Sequence, residues 1–269
     1  MTYQIPLAAS LAILLAGCAS KPEVRSHPDD GSTPGRAIVV PSGPRDKKVA
    51  LSDSSMTGTG VSVFCRLGPG AWHRVLSQSE QGVVIDTHRL DFDSVWKAPA
   101  RVAGVPKTRR QNVRWSELDV PLPDRKMQSW GYALTYRDHK SETVETPEFR
   151  FRQNGAVDGN SETIPFRRHL DFEVEIGILM HRDAPDRFGY FLVNDMTDRG
   201  VQVRTYDEKN PAPGFARAKG FDGSLRAGPL LAVADASPWP HLTATLSLNG
   251  EVRQGLSAGR CALEPGRFH

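Results

Sequence analysis

The chain has 269 residues, 24% of them charged and 39% hydrophobic, with a formal net charge of +3. That length suits one domain of ordinary size with a full core, plus additional segments. So small a net charge, spread over mixed-sign runs, argues against nucleic acid as a partner, and Lys107-Thr108-Arg109-Arg110 reads as a solvated loop.

The amino end comes first. Met1 to Gly17 carries no charge and is apolar from Ile5 to Leu15, which gives it the length of an export leader rather than of a membrane span. Its end, Leu15-Ala16-Gly17-Cys18, resembles a bacterial lipobox. The resemblance implies that residues 1–17 are a lipoprotein signal peptide and that Cys18 becomes the lipidated first residue, holding the chain on a membrane. Ala19 in the next position implies the outer membrane, facing the periplasm, within the bacterial cell envelope. A spurious extension and a plain secretory signal are the competing readings, and one departure from the pattern is that no Lys or Arg precedes the apolar stretch. Residues 18–60 are rich in Ser, Pro, Gly, Asp and Lys, and their main apolar run is Ala37-Ile38-Val39-Val40. Such a segment buries too little surface to order itself and reads as a flexible tether.

Strand signals dominate the remainder: Val61 to Phe64, Gly82 to Ile85, Leu170 to Met180, Gly189 to Val193, Gln202 to Thr205, Leu230 to Ala234 and Thr243 to Leu248. Asn249-Gly250 then marks a hairpin turn, since both residues tolerate positive φ. Helical periodicity is weak, so the chain reads as mainly β (α+β), built on a mixed or antiparallel sheet. Cys65 and Cys261 either pair, as an exported protein permits, or remain thiols.

Asp171-Phe172-Glu173-Val174-Glu175 opens the most apolar strand signal. Alternation along a strand points Asp171, Glu173 and Glu175 one way and Phe172, Val174 and Ile176 the other. A row of carboxylates beside a buried face repels itself unless a positive group joins it, and a divalent cation is the economical candidate. Downstream, the apolar run Phe191-Leu192-Val193 delivers Asn194-Asp195 at its end. Asp195 with Glu173 and Glu175 would make a three-carboxylate site for Mg²⁺ or Mn²⁺, while an Asn-Asp turn capping a helix is the plainer reading. Upstream, His139 and Glu142 share a face if the segment from Tyr136 on is a helical turn. Glu142 would then orient the imidazole as a general base, although the same pair also serves as a surface ion pair. Lys219, beside Gly220, either steadies a developing enolate or is a solvent-exposed turn residue.

Taken in order, these elements resemble the fumarylacetoacetate hydrolase family. Its members share the run Asn-Tyr-x-x-His-x-x-Glu, Asp-x-Glu-x-Glu, Asn-Asp-x-(Ser/Thr)-x-Arg-x-x-Gln, Lys-x-x-Asp and Asn-Gly-x-x-x-Gln. This chain has Tyr136, His139 and Glu142; Asp171, Glu173 and Glu175; Asn194, Asp195, Thr197, Arg199 and Gln202; Lys219 and Asp222; Asn249, Gly250 and Gln254. The resemblance implies Glu173, Glu175 and Asp195 as ligands of a divalent cation, Mg²⁺ or Mn²⁺ with Ca²⁺ also compatible. It makes His139, Glu142 and Lys219 the catalytic groups, and Tyr136, Arg152, Arg199, Gln202 and Tyr206 the substrate contacts. It further implies a mixed β-sandwich roll of the fumarylacetoacetase C-terminal type over residues 128–269, preceded by strands and a connecting segment at 61–127, and a homodimer. The implied activity is carbon–carbon bond hydrolysis in an acylpyruvate-like 2-oxo or diketo acid, or decarboxylation or tautomerisation of an oxaloacetate-like one.

Departures from the pattern sharpen the expectations. Thr135 stands in place of the family's Asn, Gly200 in place of an Asp, and Gly223 where relatives often place Thr or Ser, with Ser224 adjacent. The family's closing Thr-Gly-Thr-Pro segment has no counterpart before His269, which implies a fold short of its last strands, with a sheet edge that a partner or another segment must cover. An envelope-anchored binding protein without turnover, or a truncated remnant of the enzyme, is therefore the alternative function.

Overall fold

The computed structural model describes residues 13–16, 61–97, 109–133, 135, 149–153, 157–159, 166–181, 183–234, 239–249 and 251–261. Cys18, Tyr136, His139 and Glu142 lie outside them. In chain order the elements are β1 (Ile13–Ala16), β2 (Val61–Arg66), β3 (Trp72–Ser79), β4 (Gly82–Asp86), α1 (Phe92–Lys97), β5 (Arg110–Arg114), β6 (Ser129–Ala133), β7 (Phe149–Gln153), β8 (Val157–Asp158), β9 (Leu170–Asp171) and β10 (Val174–His181). There follow β11 (Ala184–Asp195), β12 (Thr197–Asp198), α2 (Arg199–Thr205), α3 (Ala212–Ala218), β13 (Leu225–Ala227), β14 (Leu230–Ala234), β15 (Thr243–Leu248) and β16 (Glu251–Ser257).

The fold is mainly β and its principal sheet is mixed. Twelve strands join in the spatial order β5-β4-β3-β2-β14-β11-β10-β1-β6-β7, with β13 and β8 attached beside β11. β1 runs parallel to β6 and β8 parallel to β13, while the other pairings are antiparallel. Two short ribbons, β9 with β12 and β15 with β16, complete the architecture. Ile13–Ala16, from the apolar amino-terminal stretch, thus supplies the strand between β6 and β10. No helix among the described residues is long and apolar enough to cross a membrane.

The hairpin of β10 and β11 is the spine. β10 is buried at nearly every position because it is covered on both faces, which is why its sequence reads as an almost unbroken apolar run. One face meets Val193, Phe191, Trp96, Trp72 and Leu231; the other packs Ile176, Ile178 and Tyr190 against Trp239, Ala244 and Leu256. The first cluster draws on residues 61–127 as well as the later chain, and β2 pairs with β14, so both segments share one sheet and one core.

Two expected strands resolve differently. The acidic run is interrupted at Phe172-Glu173, so that β9 leaves the main sheet to pair with β12. Gln202 to Thr205, read as a strand from its β-branched residues, is the helix α2. Local capping overrides that propensity: the Asp198 carboxylate accepts a hydrogen bond from Val201 N at 3.0 Å and starts the helix. The Asn249 turn is as expected, with φ of 54° and Leu248 opposite Glu251. No disulfide joins Cys65 to Cys261; Cys65 is buried, and burial pushes its thiol pKa up to about 12.

Close packing fixes the strands that carry the acidic groups. Gly177 on β10 lies opposite Phe191 on β11, and the aromatic ring lies across the position of the absent side chain. A Cβ at Gly177 would fall 2.4 Å from Phe191 Cζ. Gly177→Ala must therefore displace a core ring and should lower stability by about 1–3 kcal/mol. Gly255→Ala, with nothing within 4 Å of its Cβ, should stay within about 0.5 kcal/mol of the parent. Urea unfolding midpoints of the two variants check this, and equal midpoints would contradict it.

Candidate metal centre

The site is assembled where the β10–β11 hairpin ends. Asp195 closes β11, and its backbone N–H donates to the carbonyl of Glu173 at 2.9 Å, while Glu173 N donates to Asn194 Oδ1 at 3.3 Å. These bonds hold the interruption at Phe172-Glu173 against the strand end. Glu175 lies two positions beyond Glu173, so its side chain follows the same face. Glu173, Glu175 and Asp195 are all buried, and one carboxylate oxygen from each lies within 4.8 Å of the others.

Two cations neutralise part of this charge. Lys219, at the C-terminal end of α3, is 2% exposed and so is no surface turn residue. Its Nζ donates to Glu173 Oε2 at 2.5 Å, Asp195 Oδ2 at 2.6 Å and Thr197 Oγ1 at 2.8 Å, which uses all three ammonium hydrogens. Arg199, in the first turn of α2, donates from Nε to Asp171 Oδ2 at 2.8 Å, from Nη2 to Glu173 Oε1 at 2.5 Å and from Nη1 to Gln202 Oε1 at 2.7 Å. Arg199 and Gln202 are three residues apart, one helical turn, and can meet only because this segment is a helix. Asp171 is therefore a partner of Arg199 rather than a member of the triad.

Three carboxylates against one ammonium and a guanidinium already shared with Asp171 leave the pocket short of positive charge. Burial, then the Asp195 charge, raises the Glu175 pKa well above the usual carboxylate range. Asp195 is raised too, burial outweighing the attraction of Lys219. For Lys219 burial alone would lower the pKa, but the charges of Asp195, Glu173 and Glu175 win and hold it above its ordinary value. Glu175 Oε2 is buried and has no hydrogen-bond partner among the described residues. An orphaned carboxylate oxygen beside two further carboxylates is the donor set that a hard divalent cation needs, and all-oxygen chemistry suits Mg²⁺ or Mn²⁺. The residues fit the metal.

Several expected site residues converge and others do not. Lys219, Arg199 and Gln202 join the triad, whereas Tyr206 caps the end of α2 and is 46% exposed. Strand alternation places Arg152 on the exposed face of β7, away from the triad, and its neighbour Gln153 turns inward. Gln153 Nε2 donates to Asp195 Oδ1 at 2.7 Å and to the Lys219 carbonyl at 3.2 Å. The signal was present in Phe149-Arg150-Phe151-Arg152-Gln153, whose inward positions are Phe, Phe and then a polar residue. The capping carboxylate near this strand end is Asp198, not Asp195. Gly223 has φ of 77°, a left-handed conformation that favours glycine, and Ser224 donates its hydroxyl to the Lys219 carbonyl at 2.7 Å. Ser224 thus braces the lysine loop.

The model of the fumarylacetoacetate (FAA) hydrolase C-terminal family matches residues 126–268, more than half of the chain. Among curated proteins, an uncharacterized protein of Staphylococcus aureus strain USA300 is 24% identical over 225 residues, covering 76% of this chain and 71% of the relative. The corresponding uncharacterized protein of strain NCTC 8325 matches to the same extent.

The raised carboxylates give a pH dependence with a defined sign. A carboxyl whose folded pKa exceeds its unfolded value of about 4 stabilises the fold below that value, and the contribution is lost as pH rises through the window up to the folded pKa. A bound cation requires the ionised forms and removes this penalty, so its stabilisation grows with pH. Saturating Mn²⁺ should raise the melting temperature by several degrees more at pH 8 than at pH 5, as read by thermal unfolding. A shift equal at both pH values, or larger at pH 5, would count against a metal held by Glu175 and Asp195.

Proposed function

The chain belongs to the fumarylacetoacetate hydrolase family, and from that membership we propose that it is a divalent-metal-dependent enzyme that hydrolyses a carbon–carbon bond in an acylpyruvate-like 2-oxo acid. The observation that carries the reading is the buried Glu173, Glu175 and Asp195 triad, with an orphaned oxygen on Glu175 and Lys219 seated against the other two. Glu173, Glu175 and Asp195 would hold Mg²⁺ or Mn²⁺. When bound, the cation supplies Lewis-acid polarisation of the 2-oxo acid.

The chain's own residues account for the remaining steps. His139, oriented by Glu142, takes a proton from water, whose oxygen adds to the distal carbonyl of the substrate. The carbon–carbon bond then breaks, one product leaves as a carboxylic acid, and the electron pair passes to the enolate of pyruvate, which a proton on carbon converts to the ketone. Lys219 stabilises the enolate oxygen by releasing its hydrogen bond to Thr197, the only uncharged partner of its ammonium. Arg199 is clamped by Asp171, Glu173 and Gln202 yet keeps an N–H on each terminal nitrogen for the substrate carboxylate. Tyr136 and Tyr206 would border the distal group. Oxaloacetate decarboxylation and keto–enol exchange would pass through the same enolate, so substrate choice rests on the pocket around the distal group.

We also propose attachment to the bacterial cell envelope through a lipid on Cys18, facing the periplasm from the outer membrane, and assembly as a homodimer. Support for the anchor lies in Leu15-Ala16-Gly17-Cys18, and processing there would remove β1 from between β6 and β10.

With Mg²⁺ or Mn²⁺, the purified chain should turn over an acylpyruvate, and Glu175→Ala should lose at least about 100-fold in kcat/KM, a loss of roughly 3 kcal/mol of transition-state stabilisation. Metal binding without turnover of either an acylpyruvate or oxaloacetate would reject the enzyme. Cys18→Ser should move the chain from the membrane to the soluble fraction on cell fractionation, and unchanged membrane retention would reject the lipid anchor.

A further inference from the structure

Gln153 lies at the end of β7, 3% exposed, against the metal triad. Its amide orientation is fixed by chemistry: Asp195 Oδ1 and the Lys219 carbonyl can only accept, so both must face the NH₂ end. Both N–H bonds are then committed. Oε1 is left buried and without a hydrogen-bond partner among the described residues. It cannot exchange places with Nε2 without setting the amide oxygen against the Asp195 carboxylate oxygen and the Lys219 carbonyl oxygen. Leaving such an acceptor dry costs about 1–3 kcal/mol. Glu175 Oε2, of the same triad, is likewise unpartnered.

An amide oxygen of a residue bonded to the triad and a carboxylate oxygen of the triad itself, both buried and both lacking a donor among the described residues, create a demand for O–H donors there. We propose that Gln153 is the positioning residue of the metal centre: its NH₂ fixes the rotamer of Asp195, and its Oε1 accepts a hydrogen bond from a water held on the cation. This rests on the metal reading of Glu173, Glu175 and Asp195. Gln153 restrains Oδ1 of Asp195 while Lys219 restrains Oδ2, so the carboxylate cannot rotate away when a cation exchanges for part of the lysine's hold. The water, oriented by an acceptor on the protein, would present its lone pair or its proton in one direction rather than several.

Mn²⁺ serves as the probe, with calorimetric affinity and water-proton relaxivity as readouts that need no turnover. Gln153→Met keeps the volume and removes both functions; Gln153→Asn keeps the amide but is too short to span Asp195 and the Lys219 carbonyl. Either variant, if folded by thermal melt, should bind Mn²⁺ about 10–100-fold more weakly, the range found for residues that orient a ligand. Relaxivity per bound Mn²⁺ should change, because the oriented water exchanges faster or is lost. Unchanged affinity and unchanged relaxivity in a folded variant would overturn the role of Gln153 while leaving the metal centre intact. Weaker affinity with unchanged relaxivity would overturn the water contact. Absence of Mn²⁺ binding by the parent chain would overturn the metal reading and this inference together.

Discussion

The structure depends on one electrostatic arrangement: three carboxylates brought out of water at the end of the β10–β11 hairpin, with the ammonium of Lys219 set between two of them. Carboxylates in such surroundings are costly unless paired and hydrogen-bonded. Each feature nearby answers that cost. Arg199 comes from a helix that would not start there without Asp198, Gln153 steadies Asp195, and Ser224 braces the lysine loop. Removing one partner of a buried ion pair typically costs about 3–5 kcal/mol, because the other charge is left behind. The pairing is nevertheless incomplete, since Glu175 Oε2 has no partner among the described residues. The fold holds the triad rigid and leaves one oxygen unanswered, which is the state of a site prepared for a cation.

Rigidity comes from packing outside the site. Phe191 fills the space over Gly177, and Phe151 fills the corresponding space over Gly131 on the β6–β7 hairpin. The first of these hairpins delivers Glu175 and Asp195, and the second delivers Gln153. A ring laid over a glycine on each pair fixes the separation of strands whose ends must place polar atoms to within tenths of an ångström. The aromatic cluster of Trp72, Phe92, Trp96 and His181 ties the 61–97 segment to β10, with His181 Nε2 3.0 Å from Asp93 Oδ1. The earlier segment therefore supports the hairpin from behind and is continuous with its core.

Much of this was legible in the residues. The alternation in Glu173-Val174-Glu175 correctly sends both carboxylates to one face, because period-two geometry holds across the short interruption. Asp195 was readable as a carboxylate delivered by an apolar strand, and its burial decides against the capping alternative. The burial of Lys219 was not legible, since nothing in Ala218-Lys219-Gly220 reveals that Glu173 lies 46 residues away in sequence and 2.5 Å away in space. α2 was misread because Val201 and Val203 favour a strand locally, while a single Asp198 cap and the pull of Arg199 toward Asp171 decide otherwise. Arg152 follows from the family resemblance alone, as a basic position after aromatic residues, while alternation from Phe149 and Phe151 points the neighbouring Gln153 inward. Charge is visible in a sequence; the face on which it sits needs the register.

The most direct test of the central claim is an anomalous difference map from crystals of the chain equilibrated with Mn²⁺. One strong peak is expected, coordinated by Glu173, Glu175 and Asp195, with Lys219 drawn back from at least one carboxylate. A map with no peak among these three residues, and with the Lys219 ammonium still bonded to both Glu173 and Asp195 at saturating Mn²⁺, would contradict it.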